Sequence, residues 1–276
     1  MKGTRVIYQS KNCCYVKPPL LLAPYIAHYT FQFGHKNKNV IKEADERTLT
    51  VLPDVSGCIV MEYDGHSLSS YVWGPTTKAV LVGDDRFEMP LRMFVEFLPG
   101  GLGQFIPVNQ EHITDCQFPL AEVSKALEKK FKNLIEIHQS LETIIQALDS
   151  ILLKFFDATY QKQTKTILTL MPYLKKSRGI VTVKGLSEYT AYSSRHLNRL
   201  FNESLGVNAK TYLRLVRVNN VIKQIKEETR GLTEITQLFG YYDQAHFIHD
   251  FKSVVGASPK AYLENMSGFY NEDYKF

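Results

Sequence analysis

SSRHLNRLFNESLGVNAKTYL, residues 193–213, and DQAHFIHDFKSVVGASPKAYL, residues 243–263, align without a gap at an offset of fifty. His196 meets His246, Phe201 meets Phe251, Gly206 meets Gly256, Lys210 meets Lys260, Tyr212 meets Tyr262 and Leu213 meets Leu263. A self-similar block of this kind marks one supersecondary unit used twice. Each copy carries the local signals of two short helices joined by a turn. In the first, Thr182 caps a helix expected to carry Val183, Leu186 and Tyr189 inward, and Ala191-Tyr192 makes the turn. Ser193 then caps the next helix, its hydroxyl oxygen accepting a first-turn N–H. Leu197, Leu200 and Phe201 fall at helical spacing as an apolar stripe, and Gly206 supplies permissive backbone where the helix stops. In the second copy Leu232–Phe239 is the first helix, Gly240 the turn glycine, Asp243 the cap, Phe247 and Phe251 the stripe and Gly256 the stop. Ser258-Pro259 opens a final short helix, because proline suits a first helical turn. Between the copies Ala209 to Ile225 reads as one helix, with Tyr212, Leu213, Val216 and Ile222 on its buried side.

Charge separates this segment from the rest. From Lys165 to the end there are 16 Lys and Arg against 10 Asp and Glu, whereas residues 1–164 hold 17 against 18. A basic domain beside a near-neutral one suggests a polyanion as its partner.

These residues resemble the C-terminal DNA-binding domain of AraC/XylS-type transcription regulators. The resemblance spans about residues 165–268. It is carried by Ser193-x-Arg195-His196-Leu197-x-Arg199-x-Phe201, Gly206, Tyr212-Leu213-x-x-x-Arg217, Phe239-Gly240-Tyr241-x-Asp243-Gln244-x-His246-Phe247, Phe251-Lys252, Gly256-x-Ser258-Pro259 and Tyr262. It implies two helix-turn-helix units, at about 182–205 and 232–255, joined by a linker helix at about 208–227. Their recognition helices would enter successive major-groove segments about one helical turn, ~34 Å, apart. The outward faces suit base reading: Arg195, Asn198 and Arg199 in the first, Gln244, Ala245, Ile248 and His249 in the second. Arg pairs with guanine O6/N7, Asn or Gln with adenine, and apolar groups touch a thymine methyl. Ser193, Ser194, Lys210, Lys252 and Lys260 are expected at phosphates, positioning the protein rather than specifying sequence. His249 stands where relatives often carry a longer polar or basic side chain, so the first helix is expected to discriminate more bases. His196 and His246, beside the apolar stripes, are read as structural.

The front half has another texture. Thr4–Tyr8, Ile26–Phe33, Leu49–Leu52, Cys58–Tyr63, Ala79–Val82 and Met93–Leu98 have strand composition and length. Asp64-Gly65 and Pro99-Gly100-Gly101 mark turns, and Met93, Val95 and Phe97 alternate onto one face with Glu96 opposite. After Pro119 the period changes: Leu127, Phe131, Leu134, His138, Leu141, Ile145, Leu148, Ile151, Leu152 and Phe155 follow at steps of three or four. One helix or two, broken near Asn133–Gln139, would fit. So would a dimerisation helix or a helix pair closing over the sheet. Asp157 to Lys165, poor in apolar residues, reads as a linker or its edge. The expected fold is α+β in two domains: a β-rich domain over 1–160, with helices at about 120–156, and an all-α domain over 161–276.

Pro18-Pro19-x-Leu21, Tyr25-Ile26-x-His28-Tyr29, Leu52-Pro53-Asp54 and Phe97-Leu98-Pro99-Gly100-Gly101 are similar to a less characterised N-terminal domain that accompanies AraC-type regulators, which implies no particular ligand. By chemistry His28, Tyr29, Phe31, Tyr63, Trp73 and Phe97 are candidates for a small-molecule effector pocket, against an ordinary aromatic β-core. Asp84-Asp85 reads as a turn.

Other classes find little support. No GxSxG, P-loop, HExxH or GxGxxG stands in a suitable strand–helix setting. His28, His66 and His112 with Asp54 or Glu62 have no spacing that favours an acid–base site, so no enzyme is expected. Cys13, Cys14, Cys58 and Cys116 show no CxxC spacing; neither metal nor cofactor is expected. Pro18–Gly34, broken by prolines and His28, is too short to span a membrane, and the N-terminus lacks a secretory signal. The expectation is a cytoplasmic regulator of double-stranded promoter DNA, an activator partnering RNA polymerase as most of that family are. It would be controlled by a small-molecule effector or by homodimerisation. A DNA-coating architectural protein is the first alternative, and a small-molecule enzyme domain fused to a DNA-binding domain the second.

Overall fold

The computed structural model describes residues 5–34, 49–82, 89–137, 140–156, 161–227, 231–265 and 269–270. Asp84-Asp85 and His138 lie outside the described residues. The front half is built on strands β1 (Val6–Gln9), β2 (Cys13–Val16), β3 (Ile26–Phe33), β5 (Cys58–Tyr63), β6 (Leu68–Trp73), β8 (Leu91–Phe97) and β9 (Gln117–Pro119). They form an antiparallel sheet in the order β1-β2-β3-β8-β5-β6-β9. The alternation in β8 places Met93, Val95 and Phe97 wholly inside while Glu96 stays partly exposed, as a half-buried strand requires. At Asp64-Gly65 the carboxylate accepts the N–H groups of His66 and Ser67, and Gly65 takes a positive φ. Two further strands, β4 (Leu49–Val51) and β7 (Val80–Val82), pair antiparallel beside this sheet.

The helical period after Pro119 resolves into three helices, α1 (Leu120–Val123), α2 (Lys125–Ile137) and α3 (Leu141–Phe155). Ser140 and Thr143 form a capping box that starts α3, so the chain restarts here rather than running as one rod. The apolar stripe is spent on the sheet. Leu127, Phe131 and Leu134 of α2, with Ile144, Ile145, Leu148 and Leu152 of α3, are buried in one core with Tyr29, Phe31, Val95 and Phe97. Arg5 reaches across as a fork onto Asp149 of α3 at 2.6 and 3.0 Å, and Tyr29 donates its hydroxyl to the same carboxylate at 3.0 Å. A bidentate pair of this sort fixes orientation as well as contributing energy.

The remaining helices are α4 (Gln161–Lys176), α5 (Val183–Thr190), α6 (Ser194–Leu205), α7 (Ala209–Lys226), α8 (Leu232–Leu238), α9 (Gln244–Val255) and α10 (Pro259–Glu264). The linker reading of 157–165 is corrected in part: Gln161 to Lys165 are the first turn and a half of α4, and 157–160 lie outside the described residues. Ile167, Leu170 and Leu174 of α4 belong to a second core with α5 to α10. That core also takes in Leu52 and Val55 from the front half. The chain returns as well, since β10 (Phe269–Tyr270) pairs parallel with β4. The two halves are therefore packed together. Among the described residues no helix is long and apolar enough to cross a membrane.

Candidate nucleic-acid interface

Each helix-turn-helix unit is assembled by its own sequence. Thr182 accepts the Gly185 N–H at 3.0 Å and so starts α5. Ala191, at φ +57°, makes the left-handed turn, and Ser193 accepts the His196 N–H at 3.2 Å to open α6. Leu197, Leu200, Phe201, Ser204 and Leu205 are buried, and the helix ends on Gly206 at φ +74°. In the second unit Gly240 turns at φ +65°, and Asp243 accepts the His246 N–H at 2.7 Å to open α9. Phe247, Phe251, Val254 and Val255 face inward, and Gly256 closes the helix at φ +79°.

Between the units α7 is buried on most of its surface, which is the signature of a core helix rather than an exposed spacer. Arg217 locks it in place. Its Nε donates to Gly179 O at 3.0 Å while its guanidinium lies 5.2 Å from the centre of the Tyr241 ring. One side chain thus joins the α4–α5 turn, the linker helix and the turn of the second unit.

What remains outward is the candidate interface. On α6, Ser194, Arg195 and Arg199 are exposed, with Arg199 Nη2 3.3 Å from His196 Nδ1. Asn198 is a correction to the sequence reading of this face. It is half-buried and its Oδ1 accepts the Ala209 N–H at 3.2 Å, so it caps α7 from a neighbouring helix rather than standing free for a base. On α9, Gln244, Ala245, Ile248 and His249 are all exposed. Asp250, largely buried, lies 3.6 Å from His246 Nε2 and 3.8 Å from His249 Nδ1. The second face is therefore less cationic than the first. Lys210, Lys252 and Lys260 are exposed; Lys260 is 4.0 Å from Glu264. Ser193 is exposed too, its oxygen already engaged as the cap.

A second correction concerns α5. Tyr189 does not face inward: it is 61% exposed and stacks on Tyr173 of α4 at 3.9 Å between ring centres.

The front half meets this domain at the far end of α6. The Thr114 hydroxyl donates to Gly206 O at 2.9 Å, and Glu111 lies 3.5 Å from the Asn202 amide. No sequence signal announced this contact, because Thr114 sits in an unpatterned loop. The residues suggested for an effector pocket lie along the sheet. Tyr29, Phe31 and Phe97 are fully buried in the sheet core, His28 is buried with its ring 5.3 Å from Tyr15, and Tyr63 donates to Gly65 O. None of these, nor Trp73, lines three clefts of about 560, 370 and 330 Å³ among the described residues.

Residues 186–265 match the family described as "Helix-turn-helix domain". The C-terminal domain is an AraC-type helix-turn-helix domain. The chain is similar over 92 residues, at 27% identity, to the Proteus vulgaris protein named "Probable transcription factor PqrA", covering 33% of this chain and 75% of that one. It is 30% identical over 82 residues to an uncharacterized HTH-type transcriptional regulator of Staphylococcus aureus, and this covers 30% of the chain and 11% of the relative. The chain thus spans about a ninth of the length of that regulator. Among solved structures, ToxT of Vibrio cholerae O395 overlays with a TM-score of 0.39 at 14% identity, over 80% of this chain and 94% of ToxT. The C-terminal domain of AraT from Geobacillus stearothermophilus gives 0.32 at 24% identity, over 37% of this chain and 84% of that domain. In the AraC-type domain of this chain both units keep their caps, stops and buried stripes.

Proposed function

We propose that this chain is a sequence-specific DNA-binding transcription regulator whose two recognition helices, α6 and α9, enter successive major-groove segments. The observation that carries the reading is the pair of capped helices with exposed polar faces, held by one buried linker helix. Arg195 and Arg199 read bases in the first groove; Gln244, Ala245, Ile248 and His249 contact the second. Ser193, Ser194, Lys210, Lys252 and Lys260 meet phosphates. The first unit discriminates more strongly, because Arg can pair bidentately with guanine while Ala245 and Ile248 offer only apolar contact. The front domain, docked behind α6, passes a small-molecule signal to the helices. Dimerisation belongs to the same proposal. The inner stripe of α2 and α3 is occupied by the sheet, so a partner would use the outer groove formed with Ala147, Ile151 and Phe155. As a regulator of this type it acts as an activator through RNA polymerase.

Arg199→Ala tests the core of the proposal. Binding measured on a panel of duplexes differing at single base pairs should lose discrimination at particular positions, each worth ~1–3 kcal/mol. An equal loss of affinity on every duplex would show that Arg199 reads no base and would favour a DNA-coating protein.

A further inference from the structure

The fifty-residue offset extends one place upstream of the caps. Tyr192 immediately precedes Ser193, and Tyr242 immediately precedes Asp243. Core packing explains neither side chain. Tyr242 is 92% exposed, and among the described residues its ring and hydroxyl touch no partner, whereas its neighbour Tyr241 is buried beneath Arg217 and against Phe247. Tyr192 is 38% exposed. The repeated histidine lies beside each tyrosine: the rings of His196 and Tyr192 are 4.6 Å apart, whereas His246 Nδ1 is 3.5 Å from the main-chain N–H of Tyr242 and its ring packs on Tyr241. This gives a use to His196/His246, one of the six repeat identities, which base reading leaves without one.

We propose that Tyr192 and Tyr242 are matched positioning residues, one per recognition helix, whose phenol hydroxyls donate to phosphate oxygens at the rim of each major groove. The proposal rests on the DNA-binding reading above. A recognition helix enters the groove by its N-terminal turn while the helix before it crosses the backbone, so the residue just ahead of the cap faces the sugar–phosphate edge. A phenol is a neutral donor, and tyrosine is among the side chains that make such contacts. The two units differ in how much they depend on it. The first presents Arg195 and Arg199, while the opening turns of α9 carry no Lys or Arg and begin on the carboxylate of Asp243. Tyr242 therefore carries a larger share of the backbone contact at the opening turn of its helix than Tyr192 does, beside the phosphate contacts of Lys252 and Lys260.

The test uses the full-length protein, a duplex recovered by selection and a scrambled duplex of equal length, titrated at several salt concentrations. Tyr242→Phe keeps the ring and removes only the hydroxyl. It should weaken binding about tenfold, as loss of one bond to a charged oxygen would, and Tyr192→Phe should weaken it about threefold. Both losses should be equal on the two duplexes. The slope of log affinity against log salt should stay at the wild-type value, because a neutral phenol releases no counterion. Lys210→Ala, as comparator, should lower that slope by about one. Wild-type affinity in Tyr242→Phe overturns the inference while leaving the DNA-binding reading intact. A loss confined to the selected duplex, or one accompanied by a lower unfolding temperature, also overturns it, the first by showing base reading and the second a structural role. If the wild-type protein bound neither duplex, both readings would fall.

Discussion

Gly206 and Gly256 end the two recognition helices at the same place in the repeat and in the same left-handed backbone, φ +74° and +79°. They differ in what stands behind them, which makes them a built-in control. A side chain in the left-handed region costs about 1–2 kcal/mol at either position. Behind Gly256 a new Cβ would meet nothing nearer than the Ala79 methyl at 4.0 Å, so Gly256→Ala should cost that amount and little more. Behind Gly206 the new Cβ would fall 2.1 Å from Thr114 Oγ1 and 2.8 Å from the Gln110 carbonyl oxygen. One of those is backbone, so moving a single rotamer cannot clear the site. Overpacking of this kind adds about 1–3 kcal/mol, and Gly206→Ala should cost about 2–5 kcal/mol in total. Urea denaturation of the two full-length variants, followed by circular dichroism, reads the difference. In a Thr114→Ala background the cost of Gly206→Ala should fall by at least ~0.5 kcal/mol, since residues in contact couple. Equal costs at Gly206 and Gly256, with no coupling to Thr114, would refute the docking of the front domain against α6.

Two other predictions follow from buried polar groups. Asn219 in α7 is 3% exposed and neither amide atom has a hydrogen-bond partner among the described residues; Asn219→Leu should raise stability by about 1–2 kcal/mol, because an unsatisfied buried amide is replaced by an apolar group of similar size. A lower denaturation midpoint would contradict this. Burial lifts the phenols of Tyr29, Tyr71, Tyr212 and Tyr241 well above the ordinary tyrosine value. A raised folded-state pKa means the stability they carry is complete below the unfolded value of about 10 and is lost as pH rises past it. Phenolate absorbance should climb first for exposed tyrosines and then in a cooperative step that coincides with loss of circular dichroism. One continuous titration of all sixteen tyrosines while the fold persists would contradict it.

The repeat made the C-terminal domain readable because its determinants are local. Thr182, Ser193, Asp243 and Ser258 all cap the helices they precede, and a cap needs only its own first turn. The front half was readable where strands are long and apolar, as in Ile26–Phe33 and Cys58–Tyr63. Cys13–Val16, Leu68–Trp73 and Gln117–Pro119 were missed: the first is short, the second carries two serines after its first residue, and the third is three residues ending in proline. What failed was non-local. Periodicity put Tyr189 inward, but α4 supplies Tyr173 on the outer side. Spacing left Asn198 free, but folding brings it the Ala209 N–H. Of the aromatic residues suggested for a pocket, Tyr29, Phe31 and Phe97 are core, since a sequence shows that such a side chain is apolar but not whether a void lies beside it.

The central claim is that one protomer places two reading helices in successive major grooves. Selection of bound duplexes from a random pool by the full-length protein, at two salt concentrations, tests it most directly. The predicted result is a motif of two short blocks about one helical turn, ~34 Å, apart, the block read by α6 being the more sharply defined. Recovery of no motif, with binding that fades uniformly as salt rises, would contradict it.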